Sequence, residues 1–309
     1  VDAFYDRLLL LRVIPLFTHL KFGQMRPIPR NAGSDVIRFR RYANLAAATT
    51  ALTEGVTPAG SQLSTTEITA TVLQYGDFIE ISDKLDFLSI DPVMTEAMEI
   101  LGDQAGDTLD QLTRDVITAG TSVSYAGGAV SRVTVAAGDV ITLDLINDAV
   151  NILKNNNARK TAPAIMANQN VATNPLDRSF WAITHPDVAK TLRNLTGFVP
   201  VENYPSQATV MEGEFGSYGQ VRFLETTNAK VFTGAGAAGI DVYSVLILAS
   251  DAYGITEVSG EGLKSIRKPF GSAGTADPLD QRGTAGWKAT HVAKILNDAF
   301  MHRIEVAGV

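Results

Sequence analysis

Residues 91–118, DPVMTEAMEILGDQAGDTLDQLTRDVIT, carry the longest regular pattern in the chain. Asp91 before Pro92 marks a helix start, because an Asp side chain accepts from free backbone N–H groups and Pro at the first helical position gives up one that lacks a partner. Met94, Met98, Leu101, Ala105, Leu109, Leu112 and Val116 then return every three or four residues, the signature of one apolar stripe. The pattern predicts a single helix of about 40 Å from Pro92 to Thr118, closed at Gly120. Its other face carries Glu96, Glu99, Asp103, Asp107 and Asp110, which are expected in water. Gly102 and Gly106 each cost about 1 kcal/mol relative to Ala inside a helix, so they point to close approach by another element.

Upstream, Val36–Tyr42 (VIRFRRY) alternates as a half-buried strand does, with Ile37, Phe39 and Arg41 on one side and Arg38, Arg40 and Tyr42 on the other. Residues 43–76 then hold only Glu54 and Glu67 as charges, with frequent Ser and Thr and with Gly55, Pro58 and Gly60 as breakers. Thr66–Ser82 (TEITATVLQYGDFIEIS) resumes a strand pattern in which Gly76 is a candidate bulge. The whole reads as a long two-stranded flap with a soft tip. Such a flap has little core of its own and must lie on something else.

Downstream, Thr142 is placed to cap a second amphipathic helix with Leu143, Ile146, Val150 and Leu153 on its apolar side, ended by Asn155–Asn157. Phe180–Thr184 (FWAIT) reads as a buried strand, and Pro186 opens the helix PDVAKTLRN after His185. Val221–Leu224, Lys230–Phe232 and Val242–Leu248 are further strands. Trp287–Leu296, a turn at Asn297-Asp298 and Ala299–Val306 read as a terminal hairpin. Long helix, segregated strands and extended flap together predict an α+β fold. No fixed-period repeat is visible, which excludes solenoids and propellers.

Composition narrows the function classes. The chain has 309 residues, 45% apolar and 19% charged, with 26 Lys+Arg against 33 Asp+Glu for a net charge of −7. This is globular composition and not that of an all-over nucleic-acid binder. With no Cys there is no disulfide framework, thiolate metal site or Cys nucleophile. The longest strongly apolar run, Val242–Ala249, is far short of the roughly 20 residues that span a bilayer, so no membrane association is expected. The run Leu8–Leu20 is broken by Arg12, Pro15 and His19 and is not read as a leader. Residues 1–45 hold eight basic and three acidic side chains, +5, which leaves −12 on the remainder. An arm of one sign on a body of the other suits contact between copies of one chain, with DNA as the alternative partner.

Signals for catalysis are weak. Gly234–Gly239 (GAGAAG) matches the dinucleotide fingerprint by letter, but it leads into the β-branched run Ile240–Leu248 where a helix is required, so it reads as a loop. His19, His185, His291 and His302 show no metal-ligand spacing, and His185 reads as a helix-start residue. No nucleophile elbow or phosphate loop occurs. Glu212 and Glu214 form a close acidic pair, expected to be solvated beside Gly213 and Gly216.

Several segments in order carry a resemblance: RFRRY, ATTALTEGVTPAG, TATVLQYGDFIEISD, DPVMTEAMEILGDQAGDTLDQL, HPDVAKTLR, GFVPVENY, LASDAYGI and DPLDQRGTAGWKATHVAKILNDAFMHRIEV. From about Leu8 to the end, the chain resembles the N4-like family of tailed-bacteriophage major capsid proteins. The resemblance implies the tailed-phage major capsid fold: an N-terminal arm (1–35), an E-loop with flanking strands (36–82), a P-domain with a long spine helix (83–138), an A-domain (139–255) and a return to the P-domain (256–309). It implies a non-enzymatic protein that assembles as pentamers and hexamers into an icosahedral shell around double-stranded DNA, in a virion built in the host cytoplasm. No cofactor is implied. Implied partners are further copies of the chain, a portal protein, and scaffolding and cement proteins. Candidate inter-subunit contacts are Arg38, Arg40, Arg41, Glu54 and Trp287, with the arginines pairing an acidic group such as Glu54 of an adjacent copy. Residues 43–77 hold no Lys, so covalent crosslinking through an E-loop lysine is not expected. The competing readings are an encapsulin-type compartment and a nucleotide-binding enzyme.

Overall fold

A computed structural model describes residues 18–31, 33–88, 93–166 and 175–308. The expected helix start at Asp91-Pro92 and most of the amino-terminal arm lie outside the described residues. In chain order the strands are β1 (Gln24–Met25), β2 (Val36–Tyr42), β3 (Thr65–Thr71), β4 (Leu73–Ser82), β5 (Val123–Tyr125), β6 (Phe180–Thr184), β7 (Val199–Pro200), β8 (Glu214–Tyr218), β9 (Val221–Glu225), β10 (Val231–Phe232), β11 (Val242–Leu248), β12 (Tyr253–Thr256), β13 (Leu263–Lys268), β14 (Arg282–Ile295) and β15 (Met301–Ala307). The helices are α1 (Asp83–Leu88), α2 (Val93–Ile117), α3 (Leu143–Asn155) and α4 (Pro186–Arg193).

The stripe read from residues 94–116 lays α2 along a sheet built on β14. Met98 and Leu101 pack with Ile81, Ala285, Trp287 and Ala289 in one core. Each such side chain contributes about 1.5–3 kcal/mol by leaving water. Gly102 and Gly106 are both buried within an unbroken helix. Strand β14 pairs with β4 on one side, and on the other with β13 and then β12, which takes β1 as a parallel edge.

The second sheet runs β5-β15-β11-β6-β9-β8-β7, with β10 also on β11. Its central strands are buried on both faces, which is why FWAIT and VYSVLIL are continuously apolar. Helices α3 and α4 cover one face through Ile146, Val150, Leu153, Val188 and Leu192. Both start where the sequence signals: the Thr142 hydroxyl accepts from Leu145 N, and His185 Nδ1 accepts from Asp187 N at 3.3 Å. On the other face Ile117, Leu246, Tyr253, Ile255 and Met301 join the end of α2 to both sheets.

The structure corrects several expectations. The second flap strand divides at Val72: β3 pairs with β2 while β4 belongs to the β14 sheet, because Ile79 and Ile81 have the α2 core to cover and Ile68 does not. Gly76 is no bulge; it sits in continuous register opposite Lys288, where a Cβ would stand 2.6 Å from the Trp287 carbonyl oxygen. The terminal hairpin is absent. Strand β14 stays under α2, whereas β15 crosses to β11 and β5, since its side chains are buried on both faces. Gly234–Gly239 is a loop with a short 3-10 turn leading into β11.

Candidate inter-subunit surface

Strands β2 and β3 form an antiparallel arm in register from Val36↔Thr71 to Tyr42↔Thr65. Residues 40–67 are exposed without a break, so no described part of the same chain covers them. At the far end Val56 N donates to Thr53 O at 3.2 Å, closing a turn in which Gly55 has φ +76°. Glycine adopts that φ without strain, and Glu54 is presented at the apex. Leu52 and Val56, on either side, are 78% and 61% exposed. No described residue of the chain covers this side of the arm.

The root of the arm is anchored. The Phe39 ring lies so close to Gly254 on β12 that a Cβ there would meet it at 3.0 Å. A cavity of about 550 Å³ opens beside this contact, lined by residues 37–41, by Arg26 and by Asp251 and Asn297. Arg38, Arg40 and Arg41 are exposed on its arm side. Among the described residues the carboxylate paired with this cluster is Glu67, 3.8 Å from Arg38 and opposite Arg40 in the ladder. An exposed pair of this kind contributes about 0–1 kcal/mol, which leaves the cluster largely uncompensated. Trp287 belongs elsewhere: it is 4% exposed, packs under α2 and donates from Nε1 to Gln104 Oε1 at 3.1 Å. Its side chain is therefore not part of the exposed surface of the single chain.

Three clusters of buried charged side chains lie within the body, and sequence reading missed them. Glu214, expected in solvent with Glu212, is buried against Arg222, Nε to Oε1 at 2.6 Å and Nη2 to Oε2 at 2.7 Å. Tyr204 OH and Met211 N donate to the same carboxylate, and Arg222 also donates to Thr209 O. Burial is the main reason the Tyr204 hydroxyl titrates well above its usual range. Second, Glu305 accepts two bonds of 2.7 Å from Arg132 and a third of 2.7 Å from Arg303. Third, Asp110, expected on the wet face of α2, is buried: His19 N donates to Oδ1 at 2.7 Å and His19 Nδ1 lies 2.8 Å from Oδ2. Tyr253 OH donates to the His19 carbonyl, so this latch ties the strap before β1 to α2 and β12. The strap ends at an ion pair of Arg30 with Glu261.

Among the described residues no cluster of three or more His, Asp or Glu has the spacing to hold a metal, and no helix is long and apolar enough to cross a membrane. The arrangement offers a packed body and an extended arm whose residues 40–67 no described part of the chain covers.

Comparison with known proteins gives a consistent answer. The family model described as phage capsid protein matches residues 65–304. No curated protein sequence matches the chain. Among solved structures, the capsid of Ralstonia phage GP4 superposes with a TM-score of 0.71 at 13% identity, over 93% of this chain and 87% of that one. The capsid of cyanophage P-SCSP1u gives 0.66 at 14%, over 93% and 87%. The head structure of Helicobacter pylori bacteriophage KHP40 gives 0.63 at 11%, over 92% and 87%.

Proposed function

Because the chain belongs to the phage capsid protein family, we propose that this shell protein assembles as pentamers and hexamers into a closed icosahedral container for double-stranded DNA. The observation that carries the reading is the arm: residues 40–67 are exposed throughout, carry apolar side chains at the tip and are covered by no described residue of their own chain. In a closed shell each arm finds a neighbour, and many modest contacts made together hold the assembly.

The working division is an N-terminal arm at 1–35, the E-loop and its strands at 36–82, a P-domain around α2 at 83–138 and 256–309, and an A-domain at 139–255. Within this frame Arg38, Arg40 and Arg41 meet acidic groups of an adjacent copy. The net charge of −7 suits a DNA container, because an acidic wall lets packaged DNA slide. Portal, scaffolding and cement proteins are the further partners, and assembly takes place in the host cytoplasm.

The test is sedimentation of the purified chain from low to moderate salt, with negative-stain imaging of any fast fraction. Rings of five or six, or closed shells, are the expected result. A chain that stays monomeric or dimeric at high concentration overturns the proposal. Denatured shells are expected to run as monomers, because residues 43–77 hold no Lys for an E-loop crosslink.

A further inference from the structure

The sheet under α2 has a second face, turned away from that helix, and its make-up is unusual. Three cross-strand rows lie on it: Gly76–Lys288–Lys264, Phe78–Gly286–Ile266 and Glu80–Thr284–Lys268. In the middle row Gly286 carries no side chain, and none would fit: a Cβ there would stand 2.8 Å from the Phe78 Cβ and 2.9 Å from the Asp77 carbonyl oxygen. The result is a depression of about 470 Å³, floored by Gly76 and Gly286 and walled by Phe78 and Ile266. Phe78 is 64% exposed and Ile266 is 41% exposed, although both lie on strands paired with β14. Lys264 pairs with Glu261 at 2.6 Å, whereas Lys268 and Lys288 make no ion pair among the described residues. The depression is therefore apolar at its centre with Lys268 and Lys288 on its border; of the acids nearby, Glu80 lies 3.7 Å from Arg282 and Asp77 accepts from Gln104 Nε2.

The tip of the arm has the matching chemistry. Its turn presents Glu54 at the apex between exposed Leu52 and Val56, and no other acid lies between residues 36 and 66. A carboxylate between two aliphatic side chains fits a border of two lysines around an apolar notch. We infer that the Leu52–Val56 turn of one copy seats in the Gly76/Gly286 depression of a second copy, with Leu52 and Val56 against Phe78 and Ile266 and with Glu54 beside Lys268 and Lys288. This rests on the assembly reading above and replaces the arginine cluster as the site that receives Glu54. The arginines at the root remain available for another acidic surface. The pairing also accounts for the composition of the arm: a second charge in the tip would enter the apolar notch without a partner, and burying an unpaired charge is costly.

The absence of Cys permits a direct test in the full chain. The variant carrying Glu54→Cys and Lys268→Cys is assembled, its particles are confirmed by sedimentation, and it is treated with a short bismaleimide and run on a denaturing gel. A disulfide needs Cα atoms within about 7 Å, closer than an ion pair of two long side chains requires, whereas the bismaleimide bridges the wider gap, so a ladder of covalent multimers reports contact between neighbours. A control pair, Glu54→Cys with Lys160→Cys, is expected to stay monomeric. Shells that form but give no ladder, or a control that ladders equally, overturn the inference while leaving the shell reading intact. No shell from the unsubstituted chain fails the shell reading itself. Should the cysteine variant not assemble, zero-length carbodiimide coupling of unsubstituted shells gives the same answer. Peptide mapping of the dimer band is expected to join the Glu54 peptide to that of Lys268 or Lys288, and a dimer band joined only elsewhere refutes the contact.

Discussion

Removing Arg222 alone should be among the most damaging single changes to this fold. Its guanidinium and the Glu214 carboxylate are both fully buried, and each satisfies the other through two bonds of 2.6 and 2.7 Å. In Arg222→Met the carboxylate keeps only Tyr204 OH at 3.0 Å and Met211 N at 3.1 Å, and no positive charge. The carbonyls of Thr209 and Pro163 lose a donor as well. Breaking a buried pair by removing one partner typically costs about 3–5 kcal/mol, against a total stability of about 5–15 kcal/mol. Urea unfolding of the unassembled chain is the assay, with the midpoint falling while the slope stays constant. The companion Arg222→Met/Glu214→Gln removes both charges and should recover most of the loss, since an uncharged pair leaves no ion stranded. A single-variant loss under about 1 kcal/mol, or a double variant no better than the single, would refute the account, because both require the isolated carboxylate to find water.

Three further outcomes are expected. Leu101→Ala opens a hole beneath α2, where Leu101 is 1% exposed, and should cost about 2–5 kcal/mol by the same unfolding measurement. Burial holds His291 and His302 at a pKa of about 4, against 6.5 for a free imidazole. The unfolded chain therefore binds more protons between those values, so stability is full above pH 6.5, falls as the pH drops toward 4, and loses on the order of 3 kcal/mol per histidine. Thermal unfolding at pH 7, 5.5 and 4.5 checks this, and Thr113 and the pair Ser122 and Ser124 name the hydroxyls that keep each ring neutral and bonded. Arg40→Glu should leave the unfolding midpoint within about 0.5 kcal/mol while suppressing fast-sedimenting particles, and intact shell formation by this variant would remove the arginine cluster from the interface.

What could be read from the sequence was local. Thr142, His185-Pro186 and the 94–116 stripe each act within a turn or two of themselves, and the corresponding helices stand where expected. Strand partners are set by tertiary burial instead. Nothing near residue 72 says that β3 will follow β2 while β4 follows β14, and nothing near residue 298 says that β15 will leave for another sheet. The buried charges were hidden for the same reason. Asp110 looks like its acidic neighbours on α2 until His19, 91 residues away, comes to lie on it. Glu214 and Arg222 are eight residues apart, but only the β8–β9 hairpin turns that interval into a contact. At the candidate surface the arm and its apex charge were visible as a polar, core-less stretch, whereas the glycine-floored depression exists only once β4, β13 and β14 are side by side.

The passage from arm to body through a single residue, Val72, has a mechanical consequence. Strand β3 continues into β4, and β4 is held to β14 by ten paired positions from Leu73↔His291 to Ser82↔Arg282. Antiparallel hydrogen bonds lie perpendicular to the strands, so a pull on the arm directed along β4 strains them all in shear together and cannot open them one at a time. Tension that a neighbour places on the tip is thus delivered to the strand on which α2 rests. In the shell proposed above, a tether of this kind ends on the strand and helix that carry the core of each subunit.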